Sequence, residues 1–154
     1  MKTKLLTILI IFVATFFCRA QTEINYIDKS VQDIKNELST YKKIEKINSI
    51  DGTRFVFVRD NDLKVITVKA LEPTTEKNVE WYYVDGQLIY CETNWLDTKT
   101  KNNIFNEKHY LHNGHLIAWT NSRDKTIEPA SDEFKKMDTE LVAYGIKIKD
   151  DALK

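Results

Sequence analysis

The sequence predicts an α+β fold: one antiparallel meander of six or seven strands, with an N-terminal and a C-terminal helix packed on one face. Three observations predict it. One hairpin spelling occurs twice, as VEWYYVDGQLIYC over 79–91 and EKHYLHNGHLIAW over 107–119, aligned without a gap at an offset of 28 residues. A weaker copy of the same theme precedes them, centred on Asp60-Asn61-Asp62. Amphipathic stripes at helical spacing flank the strands at both ends. Successive hairpins favour a single meander.

The chain opens on a targeting segment, residues 1–20. Lys2 and Lys4 form a basic start, and Leu5 to Phe17 is an apolar run too short for a comfortable membrane span. Cys18-Arg19-Ala20 places small residues for cleavage before Gln21. The rival reading makes Cys18 an acylated lipoprotein residue, but Phe16 and Phe17 stand where such a site wants small ones. Export as a soluble periplasmic or extracellular protein is the expectation, with membrane attachment only through a lipidated Cys18. Cleavage leaves 134 of the 154 residues, enough for one domain over 21–149, with 150–154 fraying. It removes three basic residues and no acid, so a neutral chain acquires a net charge of −3. That balance excludes a nucleic-acid binder.

The elements follow in order. Residues 21–29 read as an extended lead-in. Ser30 is an N-cap for a helix through about Tyr41, whose stripe is Val31, Ile34, Leu38 and Tyr41. A short strand near 43–48 ends at Asp51-Gly52. Strands over 53–59 and 63–71 meet at Asp60-Asn61-Asp62, which lacks glycine and therefore predicts a three-residue or bulged loop. Asp85-Gly86 and Asn113-Gly114 predict two-residue turns with positive φ at both centres. Simple pairing then sets Tyr83 opposite Leu88, Tyr82 opposite Ile89 and Trp81 opposite Tyr90. In the second copy it sets Leu111 opposite Leu116, Tyr110 opposite Ile117 and His109 opposite Ala118. Both faces of the first hairpin are apolar, so either each face is covered or the sheet curves around something; the plainest reading is a core on one face and an aromatic surface on the other. Asp97 to Asn103 is a polar, exposed connection. Ser131 caps a last helix with Phe134, Met137, Leu141 and Tyr144 on one stripe and Gly145 as its terminator.

Chemistry-bearing residues are few. The three histidines all lie in the second hairpin. His109 and His112 point to opposite faces, whereas His112 and His115 pair across the turn and form a two-ligand start of a metal site. A closed zinc site needs more ligands, and none is named by the sequence. Cys91 is the one cysteine left after cleavage, so no disulfide forms within the mature chain, and an inert, buried thiol is expected. No nucleophile elbow, zinc-protease helix or glycine-rich phosphate loop is present, and four glycines make backbone phosphate cradles improbable. A non-enzymatic protein without a cofactor is expected.

The hairpins YYVDGQLIY and HYLHNGHLIAW, with DEFKKMDTEL opening the last helix, resemble small exported bacterial proteins of unknown function. These carry repeated YFxNGxLI-type β-hairpins and a C-terminal amphipathic helix. The resemblance covers most of the mature chain and implies fold, with no catalytic residue. MORN-type repeats share some spelling but repeat at shorter, regular spacing with more glycine.

The leading expectation is an exported binding module that recognises a protein or glycan through its aromatic hairpin sheet, with Trp81, Tyr83 and Trp119 as anchors. The alternatives are a carrier of a small apolar ligand in a curved-sheet cavity, and a metal-binding protein through His112 and His115.

Overall fold

The computed structural model describes residues 2–48, 52–122 and 125–153, with side chains described from residue 20 onward except at 47 and 48. Residues 1–19, where a targeting segment is expected, Cys18 included, and the Asp51 half of the Asp51-Gly52 turn lie outside the described side chains. Helix α1 (Lys2–Glu37) is followed by a 3₁₀ turn (Leu38–Thr40). Seven strands come next: β1 (Lys42–Asn48), β2 (Gly52–Arg59), β3 (Asp62–Leu71), β4 (Thr75–Val84), β5 (Gln87–Asp97), β6 (Asn103–His112) and β7 (His115–Thr120). Helix α2 (Asp132–Ala152) closes the chain. The strands form one antiparallel sheet in sequence order, so the α+β meander stands as read. Among the described residues no helix is long and apolar enough to cross a membrane.

The three hairpins are built alike. Each turns through two residues of positive φ: Asp60-Asn61 (51° and 65°), Asp85-Gly86 (50° and 72°) and Asn113-Gly114 (51° and 75°). The first is thus a tight two-residue turn without glycine, not a three-residue loop, because Asp and Asn tolerate the left-handed region. Each hairpin then carries a bulge two pairs beyond its turn. Lys64, Ile89 and Ile117 have no partner in the ladder.

Those bulges correct the predicted register. Tyr83 does face Leu88 and Leu111 does face Leu116. Beyond them Tyr82 faces Tyr90, Trp81 faces Cys91, Tyr110 faces Ala118 and His109 faces Trp119. One inserted residue moves every later side chain by one position and exchanges its face. Tyr90 therefore joins Tyr82, and Cys91 joins Trp81.

The two helices cover opposite faces, which corrects the expectation of a shared one. On the first face Ile27, Val31 and Ile34 of α1 pack with Tyr82, Ile89, Tyr90 and Val65. On the second, Phe134, Leu141, Ile148 and Ala152 of α2 pack with Trp81, Tyr83, Cys91, Leu111, Leu116 and Trp119. The doubly apolar hairpins now have their reason: both faces are buried.

Both helices are longer than their caps imply. Ser30 is no cap; its hydroxyl donates to the Tyr26 carbonyl within α1, and 21–29 is helical rather than extended. Ser131 does cap α2, accepting from the Phe134 amide at 3.1 Å. Gly145, however, lies inside α2, which runs on to Ala152. Ala152 is buried and its carbonyl accepts from Lys46 Nζ at 2.8 Å, so the helix is tied down where a frayed tail was expected.

Candidate functional site

The sequence-predicted anchors lie inside the protein. Trp81, Tyr83 and Trp119 are 5%, 1% and 4% exposed beneath α2. The alternation that turns them toward one face turns them toward the helix, where they pack in one core with Phe134, Leu141 and Ile148. They offer no surface to a protein or glycan partner in this conformation.

They belong to a row that crosses the whole sheet: Ile44, Val56, Ile66, Trp81, Cys91, His109 and Trp119, each directly opposite the next. The row brings Cys91 and His109 side by side, a nucleophile-and-base pairing that their distance in sequence conceals. Its electrostatics oppose catalysis. Cys91 is fully buried, and desolvation with the nearby Glu92, Glu107 and Glu80 carboxylates pushes its thiol well above the usual range. His109 is 3% exposed and stacks on Trp119 at 5.4 Å. Its Nε2 is 3.8 Å from Glu107 Oε2, beyond hydrogen-bond range. Burial depresses the imidazole to about 4, with only partial relief from the Cys91 backbone. Thiol and imidazole are both neutral near pH 7. Neither His109 ring nitrogen, nor the indole nitrogens of Trp81 and Trp119, has a hydrogen-bond partner of good geometry among the described residues.

The paired turn histidines do not converge. His112 and His115 sit opposite each other at the third turn, but each ring goes to a different helix. His112 Nδ1 is 3.2 Å from Glu23 of α1, and His115 Nδ1 is 3.4 Å from Asp138 of α2. Asp138 also accepts from the Leu116 amide at 2.7 Å. The tip of the third hairpin thus ties the two helices together. Among the described residues no group of three or more His, Cys, Asp or Glu is placed to hold a metal ion.

One concave feature is a half-open cleft of about 350 Å³ between the tips of the second and third hairpins and α2. Leu88, Leu111 and Val142 line it with apolar surface beside the buried Tyr83, and the exposed Ile146 adds to its wall. Asn113, Gln87, Lys149 and Asp150 form the rim. Lys149 donates to the Gly86 carbonyl and holds the second turn against the helix. Sequence reasoning missed the α2 half of this cleft because Gly145 read as a terminator. The signal was present in the buried series Leu141, Gly145, Ile148 and Ala152, which continues at helical spacing.

Toward the loop end of the sheet the two faces differ. One carries the row Asn78, Asn94, Asn106 beside Glu80, Glu92 and Lys108. Burial opposes ionisation of Glu92, but Lys35 and the amides of Asn94 and Asn106 outweigh it and hold the carboxyl below its ordinary range. The other face carries Trp95 and Phe105, ring centres 4.5 Å apart, with Lys77 Nζ 4.9 Å over the indole. No protein-family model, curated protein or solved structure matches this chain.

Proposed function

We propose that the chain is an exported, non-enzymatic binding module and that its ligand site is the cleft at the hairpin tips. The observation that carries this reading is the cleft's make-up: a half-open volume with an apolar floor and a few polar groups at its rim, the usual form of a small-molecule site. The volume lies at the small end of such sites, which run from roughly 300 to 1,000 Å³. The reading takes up the carrier alternative but moves the cavity from the interior of a curved sheet to the junction of two turns and α2. The neutral, buried Cys91 and His109 support a protein that binds rather than reacts. Export rests on residues 1–20; cleavage before Gln21 leaves intact the α1 residues Ile27, Val31 and Ile34 that pack on the sheet.

Native mass spectrometry on the protein purified from cells that naturally make it tests the reading. It predicts a bound small molecule that is absent from Ile146→Asp, a change at an exposed residue of the cleft wall. Equal loading of the two proteins contradicts it.

A second reading has its own observation. Trp95 and Phe105 form a part-exposed aromatic pair outside both core clusters, and a sugar or a partner side chain stacks on such a surface. Recognition of a protein or glycan by the sheet then falls to these rings and not to Trp81, Tyr83 and Trp119. Trp95→Ala abolishing capture on a glycan or protein array, with the melting temperature unchanged, is the expected result. Unchanged capture removes it.

A further inference from the structure

Resting on the cleft as the ligand site, we propose that its ligand is a small single-chain carboxylate, with its tail on Leu88, Leu111, Val142 and Ile146 and its head at Lys149. Among the described residues lining the cleft, Lys149 is the one cation. An ammonium carries three donors, and among the described residues this one has a single acceptor, the neutral Gly86 carbonyl. No arginine fork shares the rim, so the charge presented suits a monoanion better than a phosphate. Asp150 also lines the cleft, about 100° around the helix from Lys149. It opposes an anion without pairing the ammonium, and so makes head-group recognition a local matter of Lys149.

Size narrows the class further. At about 30 Å³ per water-sized group, the cleft takes on the order of a dozen non-hydrogen atoms. Decanoate is a ligand of that size. The half-open mouth and the exposed Ile146 let a longer tail continue over α2. The apolar floor supplies most of the attraction, in proportion to the surface it covers, and the ammonium supplies the choice of head.

Calorimetric titration of the purified chain with decanoate and with decan-1-ol separates these two parts. Decanoate is expected to bind about tenfold tighter than the alcohol, as a charge-assisted hydrogen bond at a half-exposed site allows. Lys149→Met removes the difference, Lys149→Arg keeps it, and Asp150→Asn tightens decanoate while leaving the alcohol unchanged. Equal affinities, or a preference that survives Lys149→Met, overturn the head-group assignment and leave the cleft in place. Absence of binding by either ligand overturns the cleft reading together with it.

Discussion

The Tyr83 hydroxyl donates to the carbonyl of Gly145 at 3.0 Å, joining the second hairpin near its tip to the middle of α2. The approach is close, and a side chain at position 145 would displace the end of Leu88. A Cβ at position 145 would lie 2.6 Å from Leu88 Cδ2 and 3.7 Å from the Trp81 ring. Burial pushes the Tyr83 phenol up, so it stays a neutral donor. The same contact forms the floor of the cleft, and the fold and the candidate site depend on one helix–sheet distance.

Tyr83→Phe removes this bond and little volume. The Gly145 carbonyl keeps its place in the helical ladder, so the expected loss is about 1 kcal/mol. Chemical denaturation measures it as a lower midpoint at unchanged slope. A loss above about 3 kcal/mol would mean that the hydroxyl organises more than this contact.

His109 makes stability depend on pH. Its folded value of about 4 lies below the ordinary 6.5, so the unfolded chain binds the proton more readily. The contribution is complete above pH 6.5 and is lost as pH falls toward 4, by about 3 kcal/mol over that window. Glu107, whose carboxyl is pushed up by burial and by Glu133, acts in the opposite sense and softens the slope. His109→Phe keeps a ring on Trp119 and removes the unpartnered nitrogens. Melting curves between pH 4 and pH 7 are expected to show a flatter dependence and a higher melting temperature at the acid end.

Two glycines in the left-handed region predict different penalties. At Gly52, φ +100°, a Cβ would lie 2.2 Å from the Lys69 carbonyl oxygen, and backbone cannot step aside. At Gly114, φ +75°, it would meet nothing within 4 Å. Gly114→Ala should therefore cost about 1 kcal/mol, the local strain alone. Gly52→Ala should cost more than about 2 kcal/mol. Equal costs measured by denaturation would show that strain and not contact governs both sites.

Cys91 is protected twice, by full burial and by a thiol held protonated. A thiol-exchange reagent should modify it in the native protein only as fast as the chain opens, and at once in denaturant. Fast native reaction would contradict the packing of α2 over the row from Trp81 to Trp119.

Much of the architecture is legible in the sequence. Asp85-Gly86 and Asn113-Gly114 name their turns, and the strand count and order follow from the repeated hairpins. The bulges at Ile89 and Ile117 are not legible, for a physical reason. Alternation fixes register only where one face is wet. Here Tyr82 and Tyr90 meet α1 while Trp81 and Cys91 meet α2, so apolar residues suit either face and a one-residue insertion leaves no trace in the pattern. The placement of α1 and α2 on opposite faces is hidden likewise, since each helix shows one stripe and a stripe does not name the face it meets. Ile146 and Lys149 join Val142 in the candidate site only because α2 continues through Gly145, a glycine packed against the Leu88 side chain inside the helix and not its terminator.

The proposed ligand site lies where the second and third hairpin tips meet α2. An amide-resolved NMR titration of the isotope-labelled protein with a small-molecule extract of the cells that make it tests this placement. Shifts are expected to cluster at Gly86, Leu88, Gly114, Val142, Ile146 and Lys149. Shifts centred instead on Asn94, Trp95 and Phe105, or an unchanged spectrum, would contradict it.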